Sequence, residues 1–302
     1  MNYRHAYHAG NFADVIKHAI LARALAYLRR KPAPFRVIDT HAGSGRYLLS
    51  SPQAATTGEW KGGIGRLLGA DAASLVPSLA AFLAPYLAAV RACNGGPPTA
   101  YPGSPAIALS LMRPHDRLIA NELHPDARAE LKRAIGHDRR AKIMALDGFL
   151  ALKALLPPQE RRGVVLIDPA FEAPHELERL AEGLQQGLRR FATGVFIAWY
   201  PIKEEKPINR FHARLAEATE KRLLRVELLV AAPAHTDRLR GCGLIIANPP
   251  YTLAAELSGA LPALSRCLAG TRAAYRLDWL SDGDAGNVHA QFEQKRRVRT
   301  SG

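Results

Sequence analysis

Apolar positions between Phe12 and Arg30 recur at a spacing of three and four, which predicts a helix. Phe12, Val15, Ile16, Ala19 and Ile20 form its apolar face. Asn11 stands ahead of it as an N-cap, with Asp14 in the first turn, and Pro32 and Pro34 end it. The pattern then shortens to a buried strand, Phe35-Arg36-Val37-Ile38, which runs into Asp39-Thr40-His41-Ala42-Gly43-Ser44-Gly45. From about 101 onward, short apolar runs alternate with helical periodicity. Strands are predicted at Arg117–Asn121, Ala141–Leu146, Gly163–Ile167, Gly194–Trp199, Arg222–Val230 and Gly243–Ala247. Helices are predicted at Pro125–Ala134, Phe149–Leu156 and Glu176–Arg190. Repeated alternation of this kind predicts an α/β fold with a mostly parallel sheet covered by helices. The last two strands lack an obvious crossover helix and are expected to pair antiparallel.

Residues 49–100 break the rhythm. They mix Gly and Pro with an Ala/Leu-rich helical pattern, notably Ala72 to Ala92, and carry almost no strand signal. Asn94-Gly95-Gly96-Pro97-Pro98 closes the stretch. The expected organisation is a sheet domain over 1–48 and 101–285, with its N-terminus as a cap, and a small helical subdomain inserted at 49–100. A basic tail, 286–302, is expected to be disordered.

The chain has 302 residues, 48% of them apolar, which is ample for a core. No apolar run approaches a membrane span, and the N-terminus lacks a secretory pattern. Three cysteines, Cys93, Cys242 and Cys267, lie far apart and fit neither a metal nor a disulfide pattern. A reducing, cytoplasmic setting is expected, with no membrane partner. The net charge of +14 favours a polyanionic partner.

Ligands of open parallel sheets lie beyond the strands' C-terminal ends. Here those ends carry Asp39 and His41, then Glu122, Asp147 and Asp168. The glycine turn after the first strand lets backbone approach a ligand closely. It lacks the dinucleotide pattern and the lysine of a phosphate loop, which favours a cofactor without a pyrophosphate, such as S-adenosylmethionine. Glu122 suits two ribose hydroxyls, or a helix N-terminus. Asp147-Gly148 suits an adenine amine, or equally an N-cap. The sequence Asp168-Pro169-Ala170-Phe171 offers a carboxylate and the Pro169 carbonyl to the two hydrogens of an amino-bearing base. Phe171 is suited to stack on that base once it has left its helix.

A second run ends similarly, in Asn248-Pro249-Pro250-Tyr251. It is the better string match for base methylation, but it comes late and outside the ordered set of acids. A strand stopped by two prolines is the preferred reading. The N-terminal Tyr3-Arg4-His5-Ala6-Tyr7-His8-Ala9-Gly10-Asn11, with Lys17 and His18, is expected to cap the cofactor or base. His5, His8 and His18 match no common zinc spacing, so no metal is expected. Tyr101-Pro102-Gly103-Ser104-Pro105 reads as a tight turn.

Together these segments resemble the bacterial large-subunit rRNA adenine-N6 methyltransferase family known as RlmJ, from Tyr3 to about Trp279. The distinctive pieces are Tyr3-Arg4-His5, His8-Ala9-Gly10-Asn11, Ala13-Asp14, Asp39-Thr40-His41-Ala42-Gly43, Gly45-Arg46-Tyr47, Tyr101-Pro102-Gly103-Ser104-Pro105, Glu122-Leu123-His124-Pro125, Asp147-Gly148-Phe149 and Trp199-Tyr200-Pro201. The resemblance implies a Rossmann-like class I methyltransferase with a seven-stranded, mostly parallel sheet and an inserted helical subdomain. It implies S-adenosyl-L-methionine as donor and adenine 2030 of 23S rRNA as target, with the rRNA free or in an early assembly state and the enzyme a monomer. It implies that His18, His41, Ser104, Glu122, Asp147, Gly148 and Asp168 bind the cofactor, and that Asp168 is also catalytic. Tyr3 is implied at the substrate, supported by His5 and Lys17.

One position departs from the family pattern of Asp-Pro-Pro-aromatic: Ala170 replaces the second proline. A slight loss of stability is expected, about 0.4–1 kcal/mol, with the chemistry kept. Two rival functions remain open on sequence alone. One is a DNA adenine or protein amide N-methyltransferase built on Asn248-Pro249-Pro250-Tyr251. The other is a non-catalytic RNA-binding assembly factor.

Overall fold

The computed structural model describes residues 4–69, 75–94, 96, 98–217, 222–230, 239–270 and 274–280. Tyr3 and the basic tail at 286–302 lie outside the described residues. The strands are β1 (Arg36–Asp39), β2 (Arg46–Leu48), β3 (Ala100–Pro102), β4 (Arg117–Asn121), β5 (Ala141–Met144), β6 (Gly163–Ile167), β7 (Val195–Ile202), β8 (Leu223–Leu229), β9 (Gly241–Ala247) and β10 (Ala274–Trp279). The helices are α1 (Phe12–Leu28), α2 (Pro52–Thr57), α3 (Glu59–Gly62), α4 (Ile64–Leu68), α5 (Pro77–Ala92), α6 (Ser104–Leu111), α7 (Pro125–Ile135), α8 (Gly148–Leu155), α9 (Glu176–Arg190), α10 (Glu205–Glu217) and α11 (Leu253–Ala269).

The main sheet has eight strands in the order β10-β8-β9-β7-β6-β1-β4-β5. The sequence predicts seven. The eighth, β10, pairs antiparallel with β8 at the sheet's edge. It is short and mostly half-buried, so it carries no continuous apolar run. Five strands, β5 through β7, are parallel, and β9 runs antiparallel to both β7 and β8. The expected antiparallel pairing of the last two predicted strands is observed. Helices α10 and α11 were not predicted from sequence. Pro207 near the start of α10 and Pro262 inside α11 interrupt the helical pattern there.

Alternation along the strands divides the core in two. On β6, Val164 and Leu166 face a cluster with α1, α5, α6 and α11, whereas Val165 and Ile167 face α8, α9 and α10. Helix α1 crosses the first face against β6, β7 and β9, and is covered by α5, α6 and α11. The five-residue apolar face read from sequence is therefore too narrow, because α1 is buried nearly all round. This burial carries polar residues of α1 into the interior.

Within 49–100, α5 packs on both α1 and α11. The strands β2 and β3 pair antiparallel at the base of the segment. At three residues each they are too short to show a period-two pattern. Ser104 does not sit in a simple tight turn: Tyr101-Pro102 ends β3 and Ser104 opens α6.

Candidate active site

The C-terminal ends of β1, β4, β5, β6 and β7 share one edge, and a cavity of about 1200 Å³ opens there. His5, Lys17, His18, His41, Ser104, Glu122, Asp147, Gly148, Asp168, Pro169 and Phe171 all line it. Asn121, fully buried, ties the edge together: its amide donates to the Thr40 and Leu146 carbonyls and accepts from the Leu146 N–H. Sequence reading took Asn121 as an ordinary strand end.

The glycine turn is held by Glu122. One carboxylate oxygen accepts from the Gly43 N–H at 2.8 Å and the other from the His124 N–H at 2.7 Å. Gly43 has φ 60°, and a side chain there would collide with the Tyr47 hydroxyl at 2.2 Å. That hydroxyl in turn accepts from the Ser44 N–H. Asp147 is the N-cap of α8, accepting from the Phe149 and Leu150 N–H groups at 3.0 Å each. Its second oxygen accepts from Arg179 at 3.0 Å, and the guanidinium lies 4.6 Å from the Phe149 ring centre. Both readings of Asp147 thus meet in one residue: it caps the helix and lines the cavity. Gly148 is required by close packing, since a Cβ there would lie 2.2 Å from His41 Nε2.

Two histidines are held neutral. Burial lowers His41 to about 4 and His18 to about 3. His18 Nδ1 bonds the Tyr101 hydroxyl at 2.7 Å, and Tyr101 bonds Tyr86 at 3.0 Å. Burial also pushes the Asp39 carboxyl up to about 7, although the Ser104 hydroxyl and the His41 N–H favour its ionised form.

Lys17 reaches this edge from the interior. It is 3% exposed, and its ammonium lies 2.8 Å from Asp14 and 2.5 Å from Asp168. Burial disfavours its charge, but the two carboxylates hold its pKa well above the ordinary lysine value. Asp14 also binds His5 Nε2 at 2.9 Å and the Gly10 N–H at 2.8 Å. Burial would raise Asp14, yet its contact with His5 and the Lys17 ammonium hold it well below the usual carboxylate range. The N-terminal segment is thereby fastened to the end of β6. Sequence reading placed Asp14 only in the first helical turn; its spacing of three from Lys17 was the available signal.

Beyond Asp168, Pro169 is buried and Phe171 takes a left-handed φ of 53°. A bulky residue there carries strain of order 1–3 kcal/mol. Its ring meets Trp199 edge-on, with centroids 5.7 Å apart. Trp199 lines the same cavity. Nothing in the surrounding packing accounts for alanine at position 170.

Asn248 lies elsewhere. Because β9 is antiparallel, its last residue, Ala247, pairs with Phe196 near the start of β7. Asn248-Pro249-Pro250-Tyr251 therefore sits at the opposite edge of the sheet. Asn248 has φ 49°, and its amide donates to the Ala192 and Gly194 carbonyls at 2.9 and 2.8 Å. It fastens a loop, as the strand-terminator reading expects.

A parallel half-sheet, an antiparallel strand inserted beside β7, and a glycine turn with ordered acids at one edge define a class I methyltransferase. The family model described as "Ribosomal RNA large subunit methyltransferase D, RlmJ" matches residues 32–281, and the chain belongs to this family. Ribosomal RNA large subunit methyltransferase J of Escherichia coli (strain K12) is 39% identical over 263 residues, 87% of this chain and 92% of that protein. The protein of the same name from Haemophilus influenzae is 36% identical over 285 residues, 93% of this chain and 99% of that one. A crystal structure of a Legionella pneumophila protein aligns with a TM-score of 0.82 at 33% identity, covering 90% of this chain and 98% of that one.

Two consequences are measurable. Lys17→Met leaves Asp14 and Asp168 without their cation and should cost about 3–5 kcal/mol in urea unfolding. Adding Asp14→Asn to that variant should cost much less than Asp14→Asn alone; strictly additive losses would contradict a shared ion cluster. The second concerns Asp39. Its folded pKa, about 7, exceeds its ordinary 3.8, so the native state binds the proton more tightly. Its contribution to stability is present at low pH and is lost as pH rises between about 4 and 7. His18 and His41 act oppositely, since their lowered pKa values make stability rise with pH below 6.5. The contribution is therefore read as a difference: Asp39→Asn should gain stability relative to the parent between pH 5 and pH 8. A pH-independent difference would refute the assignment.

Proposed function

We propose that this enzyme transfers a methyl group from S-adenosyl-L-methionine to the N6 amine of adenine 2030 in 23S rRNA. Family membership supports the reaction class, and the relatives in Escherichia coli and Haemophilus influenzae are named as large-subunit rRNA methyltransferases. The observation that carries the reading is Asp168, ion-paired to Lys17 at the parallel edge beside Pro169 and Phe171.

The cavity suits that cofactor. In a protein of net charge +14, eight acids line its wall against five lysines and arginines, Glu122 and Asp126 among the acids. Such a wall favours a ligand with positive charge and many donors. The bound cofactor supplies an electrophilic methyl on a sulfonium. Glu122, with its carboxylate oriented by two backbone N–H groups, would accept from ribose hydroxyls. Asp147 and Gly148 would face the cofactor's adenine, with neutral His41 beside them. Ser104 and His18 would hold the amino-acid end.

An adenine N6 amine is a weak nucleophile because its lone pair is delocalised into the ring. Lys17 occupies Oδ2 of Asp168, and among the described residues no donor binds Oδ1. Oδ1 and the Pro169 carbonyl would take the two amine hydrogens and favour a pyramidal nitrogen. Lys17 keeps the carboxylate oriented without occupying both oxygens. Phe171, backed by Trp199, would stack on the flipped base, Tyr3 would contact it, and His5 and Lys17 would support that contact. The step is positioning and electrostatics, and Asp168 does not need to be a strong base, since the methylated ammonium is itself acidic.

Asp168→Ala should lower methyl transfer to an rRNA fragment by at least about a thousand-fold. Cofactor binding, measured by calorimetry, should remain detectable, and Asn248→Ala should retain turnover. Full activity in Asp168→Ala, or complete loss in Asn248→Ala, would overturn the proposal.

A further inference from the structure

The edge of the sheet opposite the cavity has a different character. Each parallel strand enters it behind basic residues. Arg29-Arg30-Lys31 precede β1, Arg139-Arg140 precede β5, Arg161-Arg162 precede β6 and Arg189-Arg190 precede β7, while Arg113 and Arg117 flank the start of β4.

Part of this charge is built into the fold. Arg113 binds Asp116 and the carbonyls of Lys31, Pro32 and Ala33. Arg140 binds Asp138 and the Met112 carbonyl. Arg162 donates to the Ala33 and Leu28 carbonyls, and Arg36 pairs with Glu160. These bonds knit neighbouring turns into one surface and engage the local acids. Asp116, Asp138, Glu160 and Glu256 are each paired with an arginine. Glu217, at the end of α10, is an exposed acid toward the β8 side.

The remaining cations make no ion pair with those acids, although Arg30 lies close enough to Glu256 to stabilise its charge. Arg29, Arg30, Lys31, Arg139, Arg161, Arg189 and Arg190 are all exposed. Tyr251, from the motif set aside above, is 91% exposed on the same edge. Asn248 fastens that turn to Ala192 and Gly194, directly after Arg189-Arg190. The Arg30 guanidinium, at the middle of the row, lies 5.2 Å from the Tyr27 ring centre, and exposed Tyr251 stands near its β7 end.

We infer that this row is a second RNA-binding surface, which grips the phosphate backbone of the substrate at a distance from the methylated base. Regularly spaced cations with interleaved aromatics suit phosphates and unstacked bases. Acids outnumber lysines and arginines along the catalytic cavity, whereas exposed cations outnumber acids along this edge, so the charge is not spread evenly. The two edges are separated by the length of β6, five residues or about 17 Å, so one RNA must fold around the sheet to reach both. The inference rests on the RNA substrate proposed above, and it adds that a short target hairpin does not engage the whole binding surface.

The test compares two RNAs on the full-length protein: a hairpin carrying only the target adenine, and a 23S rRNA transcript of several hundred nucleotides containing it. Affinity is measured across a salt series for the parent, for Arg29→Gln/Arg30→Gln/Lys31→Gln, and for Arg189→Gln/Arg190→Gln. The parent should bind the long transcript at least about ten-fold tighter, with a steeper salt dependence. Each variant should lose about three-fold or more on the long RNA and show a shallower salt slope. Hairpin affinity and the methylation rate on the hairpin should not change. Equal losses on both RNAs, or no loss on the long one, would overturn the inference. So would variants that bind RNA normally but no longer bind vesicles of anionic phospholipid, which would make the row a membrane surface. Because binding is read without turnover, loss of the long-RNA advantage in a protein that methylates neither RNA would uphold the surface and refute the proposed function.

Discussion

Lys17 holds its ammonium between Asp14 and Asp168, 2.8 and 2.5 Å away, with almost no access to solvent. A lone buried lysine would shed its proton. This one is held charged by two carboxylates, and each carboxylate has a further duty. Asp14 gathers His5 and the Gly10 backbone, which fixes the N-terminal segment. Asp168 ends β6 and opens the loop that carries Pro169 and Phe171. Removing one member of such a cluster strands the others in low dielectric, so its members depend on one another far more than exposed ion pairs do. The apolar burial of α1 carries this cluster inside, and the cluster holds a segment distant in sequence over the end of β6.

Around this centre the charges are sorted. Acids outnumber lysines and arginines along the cavity wall, burial keeps His18 and His41 neutral there, and exposed basic residues line the opposite edge. A uniformly basic protein would attract RNA everywhere and leave no distinct place for a cationic cofactor. Sorting would let one small domain keep the proposed cofactor site and the proposed polyanion-binding surface apart.

The parallel half of the sheet was legible because each strand is a short apolar run followed by an acid or a glycine turn. The order of Asp39, Glu122, Asp147 and Asp168 is legible in the sequence, and that order separates Asp168 from Asn248. The structure supplies the stronger reason. β9 is antiparallel, so its C-terminal end points away from the site. Strand direction is set by pairing between distant segments, which no local pattern records. The same limit hid Asp14, Asn121 and Trp199, whose roles come from what they meet across the fold. β10 was missed because a half-buried edge strand lacks an apolar run, and the β2–β3 pair because three residues show no period. Ser104 shows the smaller error, in which a turn signal marks the start of a helix.

The central claim is that this site methylates one adenine of the large-subunit rRNA. It is tested most directly by mass mapping of methyladenine in 23S rRNA from cells with and without this protein. The account predicts N6-methyladenine at position 2030 only when the protein, with Asp168 intact, is present. The same mark in its absence, or no mark in its presence, would contradict it.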